Sequence, residues 1–251
     1  MDLQSGVIRK MSYQTSIEWT DSTWNPIIGC NKVSQGCKHC YAETLAERFR
    51  GVPGHPFERG FDLRLVPSKL DEPLKWKRAK KIFTCSMSDL FHEAVPVEYI
   101  ERVFETMNRA SWHTFQVLTK RSRRLLALSS RLNWTSNIWI GVSIENADNA
   151  NRAVDLSQVP ASIRFISAEP LLGPIPSLPL DGISWVIVGG ESGVKSRPME
   201  IAWARDIQKQ CRHRKVAYFL KQLGGRIDKR GGAQAKLDGR RWIEFPLTAI
   251  A

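Results

Sequence analysis

The sequence predicts an α/β protein: a single-domain partial (β/α) barrel with about six or seven parallel strands. Three observations predict it. Short apolar segments rich in β-branched and aromatic residues recur, polar residues follow each one, and helix-compatible stretches separate them. That alternation is the pattern of βα units around a parallel sheet. A length of 251 residues fits one such domain, and 42% hydrophobic with 25% charged residues leaves ample apolar material for its core.

The strand candidates, in order, are Asn25 to Gly29, Ile82 to Cys85, Thr114 to Leu118, Ile138 to Val142, Ile163 to Ala168, Trp185 to Val188 and Val216 to Leu220. Between them, Tyr41 to Arg50 reads as a helix. Pro96, whose fixed φ suits a first helical turn, opens another, in which Ile100, Val103, Phe104 and Met107 fall at i, i+3, i+4 and i+7 and form one buried stripe. Arg121 to Leu132, Asn146 to Leu156 and Glu200 to Arg212 continue the series. Pro170, Pro174, Pro176 and Pro179 break any regular element, so Pro170 to Gly182 is a loop. The barrel domain is expected over residues 12–246, with residues 1–11 an N-terminal extension and 247–251 a tail.

A net charge of +12 favours polyanionic partners, because counterion release drives Lys/Arg-rich surfaces onto nucleic acid. The charge is scattered: Lys75, Lys77, Arg78, Lys80 and Lys81 surround Trp76; Lys120, Arg121, Arg123 and Arg124 follow a strand; Arg212, Arg214 and Lys215 close a helix; Arg226, Lys229, Arg230, Arg240 and Arg241 lie in the tail. Nucleic acid, a nucleotide or another phosphorylated substrate is one expectation, and plain solubility is the other. Trp76 reads either as a stacking platform for a base or as a ring covered by lysine stems, while Trp24, Trp139 and Trp185 read as packing. The first fourteen residues hold no apolar stretch of signal-peptide length, and no segment approaches the roughly 18 apolar residues of a membrane span. A cytoplasmic protein with no membrane partner is expected.

In a parallel barrel the C-terminal strand ends converge on one mouth, where ligands bind. The residues just past the candidate strands are Ser86, Ser88 and Asp89; Thr119 and Lys120; Ser143, Glu145 and Asn146; Ser167 and Glu169; Gly189, Gly190 and Glu191; Lys221 and Gln222. Helix capping explains any one of these groups. It explains the whole series less well, and the groups are expected to meet in space.

Five cysteines in a chain of this kind suit metal ligation better than disulfides. Cys30, Cys37 and Cys40 give Cys-x6-Cys-x2-Cys directly after the first strand candidate. Three thiolates on a four-iron cubane leave one iron without a protein ligand, which is the chemical opening that S-adenosylmethionine (SAM) uses in radical chemistry. Gly29 and Gly36 supply loose backbone before two of the ligands, and Lys38 offsets thiolate charge. His39 keeps a zinc reading open, since three Cys and one His form a tetrahedral set, and incidental thiols are a third reading. Cys211 on an amphipathic helix reads as core. Cys85, inside a strand candidate, reads as a small buried hydrophobe or, at the mouth, as a hydrogen-atom donor.

Eight segments together resemble a known family: IEWTDSTWNP (Ile17 to Pro26), GCNKVSQGCKHCYAE (Gly29 to Glu43), SMSDLFHE (Ser86 to Glu93), QVLTK (Gln116 to Lys120), GVSIEN (Gly141 to Asn146), ISAEPLLGP (Ile166 to Pro174), GGESG (Gly189 to Gly193) and FLKQLG (Phe219 to Gly224). They are similar to the phage- and mobile-element-associated three-cysteine-motif proteins, a radical-SAM-like group of largely uncharacterised function. The resemblance implies a radical-SAM-like partial barrel with Cys30, Cys37 and Cys40 as ligands of a 4Fe–4S cluster, SAM as cofactor and an external electron donor. It also implies that His39, in the place of the usual aromatic residue before the third cysteine, lies against the adenine. Two departures stand out. The usual spacing is Cys-x3-Cys-x2-Cys, and the Gly-Gly-Glu triplet that normally closes the second strand and receives the SAM amine appears here late, as Gly189, Gly190 and Glu191. At the second strand end stand Ser86, Ser88 and Asp89, which makes Asp89 the candidate amine acceptor.

Glu145 and Glu169 are expected to bind the SAM ribose or a polar substrate group, or else to pair with Lys120 or Lys221. Those two lysines are candidates to hold a substrate phosphate or the SAM carboxylate, and with Cys85 they complete the catalytic candidates. Ser143 joins the cofactor-binding set. His92 and Glu93 either line the mouth or cap a helix. The expected activity is hydrogen abstraction from a nucleotide, nucleic-acid or phosphorylated substrate; the alternatives are a non-catalytic nucleic-acid-binding protein with a structural or redox-sensing cluster and a zinc-binding scaffold.

Overall fold

A computed structural model describes residues 15–225 and 235–247. The expected N-terminal extension and Arg226, Lys229 and Arg230 lie outside the described residues. Seven strands form one all-parallel sheet curled into a half-barrel: β1 (Ser22–Trp24), β4 (Lys81–Thr84), β5 (Thr114–Thr119), β6 (Ile138–Ser143), β7 (Ile163–Ala168), β8 (Trp185–Gly189) and β9 (Ala217–Gln222), side by side in that order. Two short strands, β2 (Ile27–Ile28) and β3 (Arg64–Leu65), pair antiparallel beside it.

Six of the expected strands occur, and the first is displaced. Ile27 and Ile28 are apolar enough to resemble a barrel strand, yet they belong to the small hairpin, and the sheet begins instead with Ser22–Trp24 paired to Ile82–Thr84. Pro26 explains the division, because proline has no N–H to give a central ladder. The expected helices occur with shifted ends: α1 spans Tyr41–Glu47, α2 Val97–Arg109, α3 Ser122–Leu128, α4 Asn151–Ser157 and α5 Ile201–Arg214, the last two running past the ends expected for them. The α2 stripe is buried as its periodicity requires. In α5, Arg212, His213 and Arg214 complement the negative end of the helix dipole and Lys215 turns left-handed to stop it.

Strand residues alternate between two apolar layers. One face, with Ile82, Phe115, Ile140, Val186 and Leu220, packs against the helices through Ile100, Val103, Leu156 and Ile207. The opposite face fills the inside of the curl with Trp19, Phe83, Trp139, Phe165, Trp185 and Phe219. Gly141 is the space that this packing needs, since a Cβ there would collide with the Phe165 ring. The last described segment runs antiparallel to β9 through Phe219 and Ile243, covers that sheet edge, and stacks Phe245 on Trp185 with ring centroids 5.1 Å apart. Aromatic rings therefore plug the lower end of the half-barrel, and the polar strand ends lie at the other.

Candidate functional site

Above the aromatic plug is a cavity of about 750 Å³ lined by Cys30, Cys37, Cys40, His39, Asp89, Lys120, Glu169, Glu191 and Lys221 among others. The strand-end groups thus meet as the parallel topology demands. Of the candidates, Ser86, Ser88, Ser143, Gly190 and Cys85 also line it, whereas Glu145 and Gly189 stand behind the wall. Gly189 closes β8, and its missing side chain leaves the room taken by the Glu169 carboxylate.

The cysteine loop connects β2 to α1. All three thiols are free and half-buried. Cys30 follows Gly29, whose φ of +84° and contact with the Asp62 carbonyl leave no place for a Cβ. Cys37 ends a short 3₁₀ turn, and Cys40 is the N-cap residue of α1. Burial pushes the Cys30 thiol up to about 11, with Asp89 adding and Arg121 opposing. Burial likewise raises Cys40, and the nearby Cys37 adds to it. Buried thiols of this kind become thiolates when a cation replaces their protons.

Four contacts fasten this loop to four strand ends. Gly29 bridges to Ser88 just past β4. Arg121, just past β5, donates to the Asn31 carbonyl and side chain and to Cys30 Sγ at 3.5 Å. Ser34 Oγ donates to Glu145 past β6 at 2.6 Å, and Gly36 makes room for that carboxylate. His39 Nδ1 and the Glu191 carboxylate past β8 lie 2.9 Å apart.

The carboxylates differ in how much they have left to offer. Asp89 accepts from Thr119 Oγ1, Arg121 Nη1 and the Phe91 and Lys120 amides, which fills its four acceptor directions. Its expected role as amine acceptor therefore loses its basis. Glu145 is buried and takes Arg152 at 2.9 Å, Lys120 at 3.3 Å and Ser34. Glu191 is opposed by burial, yet its hydrogen bonds from Arg197 and His39 win and hold it down to about 2. Glu169 pairs with Lys221 at 2.9 Å and, among the described residues, accepts besides from Ser167 alone, so it retains acceptor capacity facing the cavity. The pairing of Lys120 and Lys221 with these glutamates is the alternative that the sequence left open.

Several other side chains are fixed. Ser86 Oγ donates to Asn25 and Ser88 Oγ to the Ile27 carbonyl. Cys85 lies one residue beyond β4, not within it, at φ +62° and 2% exposure, and burial pushes its thiol up to about 12. His92 is buried, accepts from the Ala94 amide, and does not line the cavity. Glu93 pairs with Arg121 at 2.8 Å. Cys211, Trp24, Trp139 and Trp185 are core, and Lys80 covers the Trp76 ring at 4.9 Å. Sequence reasoning missed Arg121, Arg197, Asn25 and Ser34. Only Arg121 had a signal, its place immediately after the strand-end pair Thr119 and Lys120.

Among the described residues no group of three or more His, Cys, Asp or Glu is placed to hold a metal ion. His39, the fourth donor of the zinc reading, turns to Glu191. A cubane spaces its thiolates more widely than one ion does, and three thiols of one loop opening into one cavity suit that donor set. No helix among the described residues is long and apolar enough to cross a membrane.

Fold and site together define a parallel half-barrel protein with a three-thiol loop across its mouth. Residues 14–246 match the family described as "Protein of unknown function (DUF5131)", and the chain belongs to it. No curated protein and no solved structure matches the chain.

Proposed function

We propose that the chain is a radical-SAM-type enzyme in which Cys30, Cys37 and Cys40 hold a 4Fe–4S cluster. The observation that carries this reading is that the three thiols open into the same mouth cavity as Lys120, Glu169 and Lys221. The resemblance to the three-cysteine-motif proteins supports it. When bound, the cluster would supply the electron, itself received from an external donor, that cleaves SAM to methionine and a 5′-deoxyadenosyl radical able to abstract hydrogen. The chain's own residues bind and orient. Lys120 and Lys221 bring positive charge for a carboxylate or a substrate phosphate, and Glu169 has lone pairs left for an amine or ribose hydroxyl. Trp19 and Phe83 form the floor and exclude water from below. The substrate class is a nucleotide, nucleic acid or other phosphorylated compound, and the cytoplasm, where thiols stay reduced, is the fitting compartment.

The test is anaerobic reconstitution of the full chain with ferrous iron and sulfide, followed by SAM and dithionite. We expect 5′-deoxyadenosine and methionine in equal amounts from the wild type and neither from Cys40→Ala. A fully active Cys40→Ala protein would sink the reading. One observation favours a second one: Asp89, Glu145 and Glu191 are all occupied by the protein's own groups, as suits a non-catalytic, cluster-bearing nucleic-acid-binding protein. Iron and sulfide uptake without SAM cleavage would select it.

A further inference from the structure

We propose that Arg121 is a positioning residue that sets the reduction potential of the cluster through its N–H to Cys30; this inference rests on the cluster reading above. A guanidinium has five N–H donors in a rigid fork. All five are used: Nε to Glu93 at 2.8 Å, Nη1 to Asp89 at 3.0 Å and to Cys30 Sγ at 3.5 Å, and Nη2 to the Asn31 carbonyl and side chain. The side chain is only 4% exposed. Asp89, itself saturated, holds the guanidinium from below, and the backbone amide of Lys120 holds Asp89. Cys30 thus receives a hydrogen bond from a cation locked to the ends of β4 and β5. Among the described residues no cation donates to the other two sulfurs: Cys37 meets the Ser34 hydroxyl at 3.9 Å, and Cys40 accepts from the neutral backbone amides of Ala42 and Glu43.

A hydrogen bond and a positive charge at a ligand sulfur stabilise the more negative, reduced cluster and raise its potential. Lysine retains the charge but lacks the planar fork, so Arg121→Lys should separate the two roles. The measurement is a redox titration, followed by the paramagnetic resonance of the reduced cluster, on full-length protein reconstituted anaerobically with iron and sulfide and without SAM. Compared at equal iron and sulfide content, Arg121→Lys should show a reduced-to-oxidised ratio at a fixed poise about tenfold lower than the wild type, which is about 59 mV for one electron. Glu93→Gln, at an exposed carboxylate on the opposite arm of the fork, should shift the potential upward by less. If Arg121→Lys fails to fold, the Glu93→Gln shift decides alone. Loaded variants with the wild-type potential overturn this assignment and leave the cluster standing. A wild type that takes up no iron and sulfide overturns the cluster reading, and this one with it.

Discussion

The two ends of the half-barrel are built from the same strands and obey different rules. At the lower end, Trp19 and Trp139 pack edge to face on Trp185 and Phe165 tilts against it, and the Trp185 indole N–H finds the Glu244 carbonyl at 2.8 Å. At the mouth, the carboxylates Asp89, Glu145, Glu169 and Glu191 are each held by a cation, from Arg121, Arg152, Lys221 and Arg197 respectively. The difference teaches that stability and chemistry are separable along one strand: Trp139 and Ser143 both belong to β6, one in the plug and the other at the cavity.

The sharpest way to break this contrast is at the cysteines. Cys37→Ala should abolish iron and sulfide binding while moving the stability of the metal-free protein by no more than about 0.5 kcal/mol, as half-exposed substitutions do. Metal analysis and urea unfolding check it; a large loss of stability would show that the mouth is structural. Trp185→Ala should do the opposite, costing about 3–5 kcal/mol in urea unfolding as a large core truncation does, with iron uptake retained below the unfolding transition.

Two glycines sharpen the comparison further. Gly141→Ala drives a methyl into Phe165 and should cost about 1–3 kcal/mol. Gly36→Ala drives one into Glu145, against the cysteine loop, and its main effect should be lower iron and sulfide uptake at nearly unchanged stability. Equal effects of the two variants on both measurements would erase the distinction.

The smallest expected effect is electrostatic. Glu191 is held at about 2 when folded against 4.5 unfolded, so its contribution is fully present above pH 4.5 and is lost as the pH falls towards 2. Glu191→Gln should flatten the acid limb of stability by about 1–3 kcal/mol, the scale of hydrogen bonds to a charged group. Urea unfolding at about pH 5 and about pH 3 measures it. An unchanged limb would mean that Arg197 and His39 do not stabilise the carboxylate.

Much of the fold was legible because parallel strands are buried on both faces and read as near-continuous apolar runs. Ile163–Ala168 is such a run, and its bounds agree at both ends. Ser22–Trp24 was not legible: two of its three residues are polar or hydroxylic, and Ile27 and Ile28 nearby offered a better apolar signal. At the site, parallel topology made the convergence of strand-end residues predictable. Their pairing was not, because spacing gives the height of a residue on the barrel but not which neighbour its side chain reaches. Asp89 reads as an open acceptor until Thr119, Arg121 and two amides are seen to occupy it. Arg121 itself sits in a run with Lys120, Arg123 and Arg124 that looks like a solvated basic patch, although Arg124 also serves inside, donating to the Val95 carbonyl at 2.7 Å.

The fastening of the cysteine loop to four separate strand ends bears on its portability. Excised as a peptide, residues 29–43 would keep the Cys-x6-Cys-x2-Cys spacing and lose every group that aims it. Grafts of this motif onto another scaffold should succeed only where the host supplies equivalent anchors at the same heights, so the unit that evolution can move is the loop together with its barrel rim.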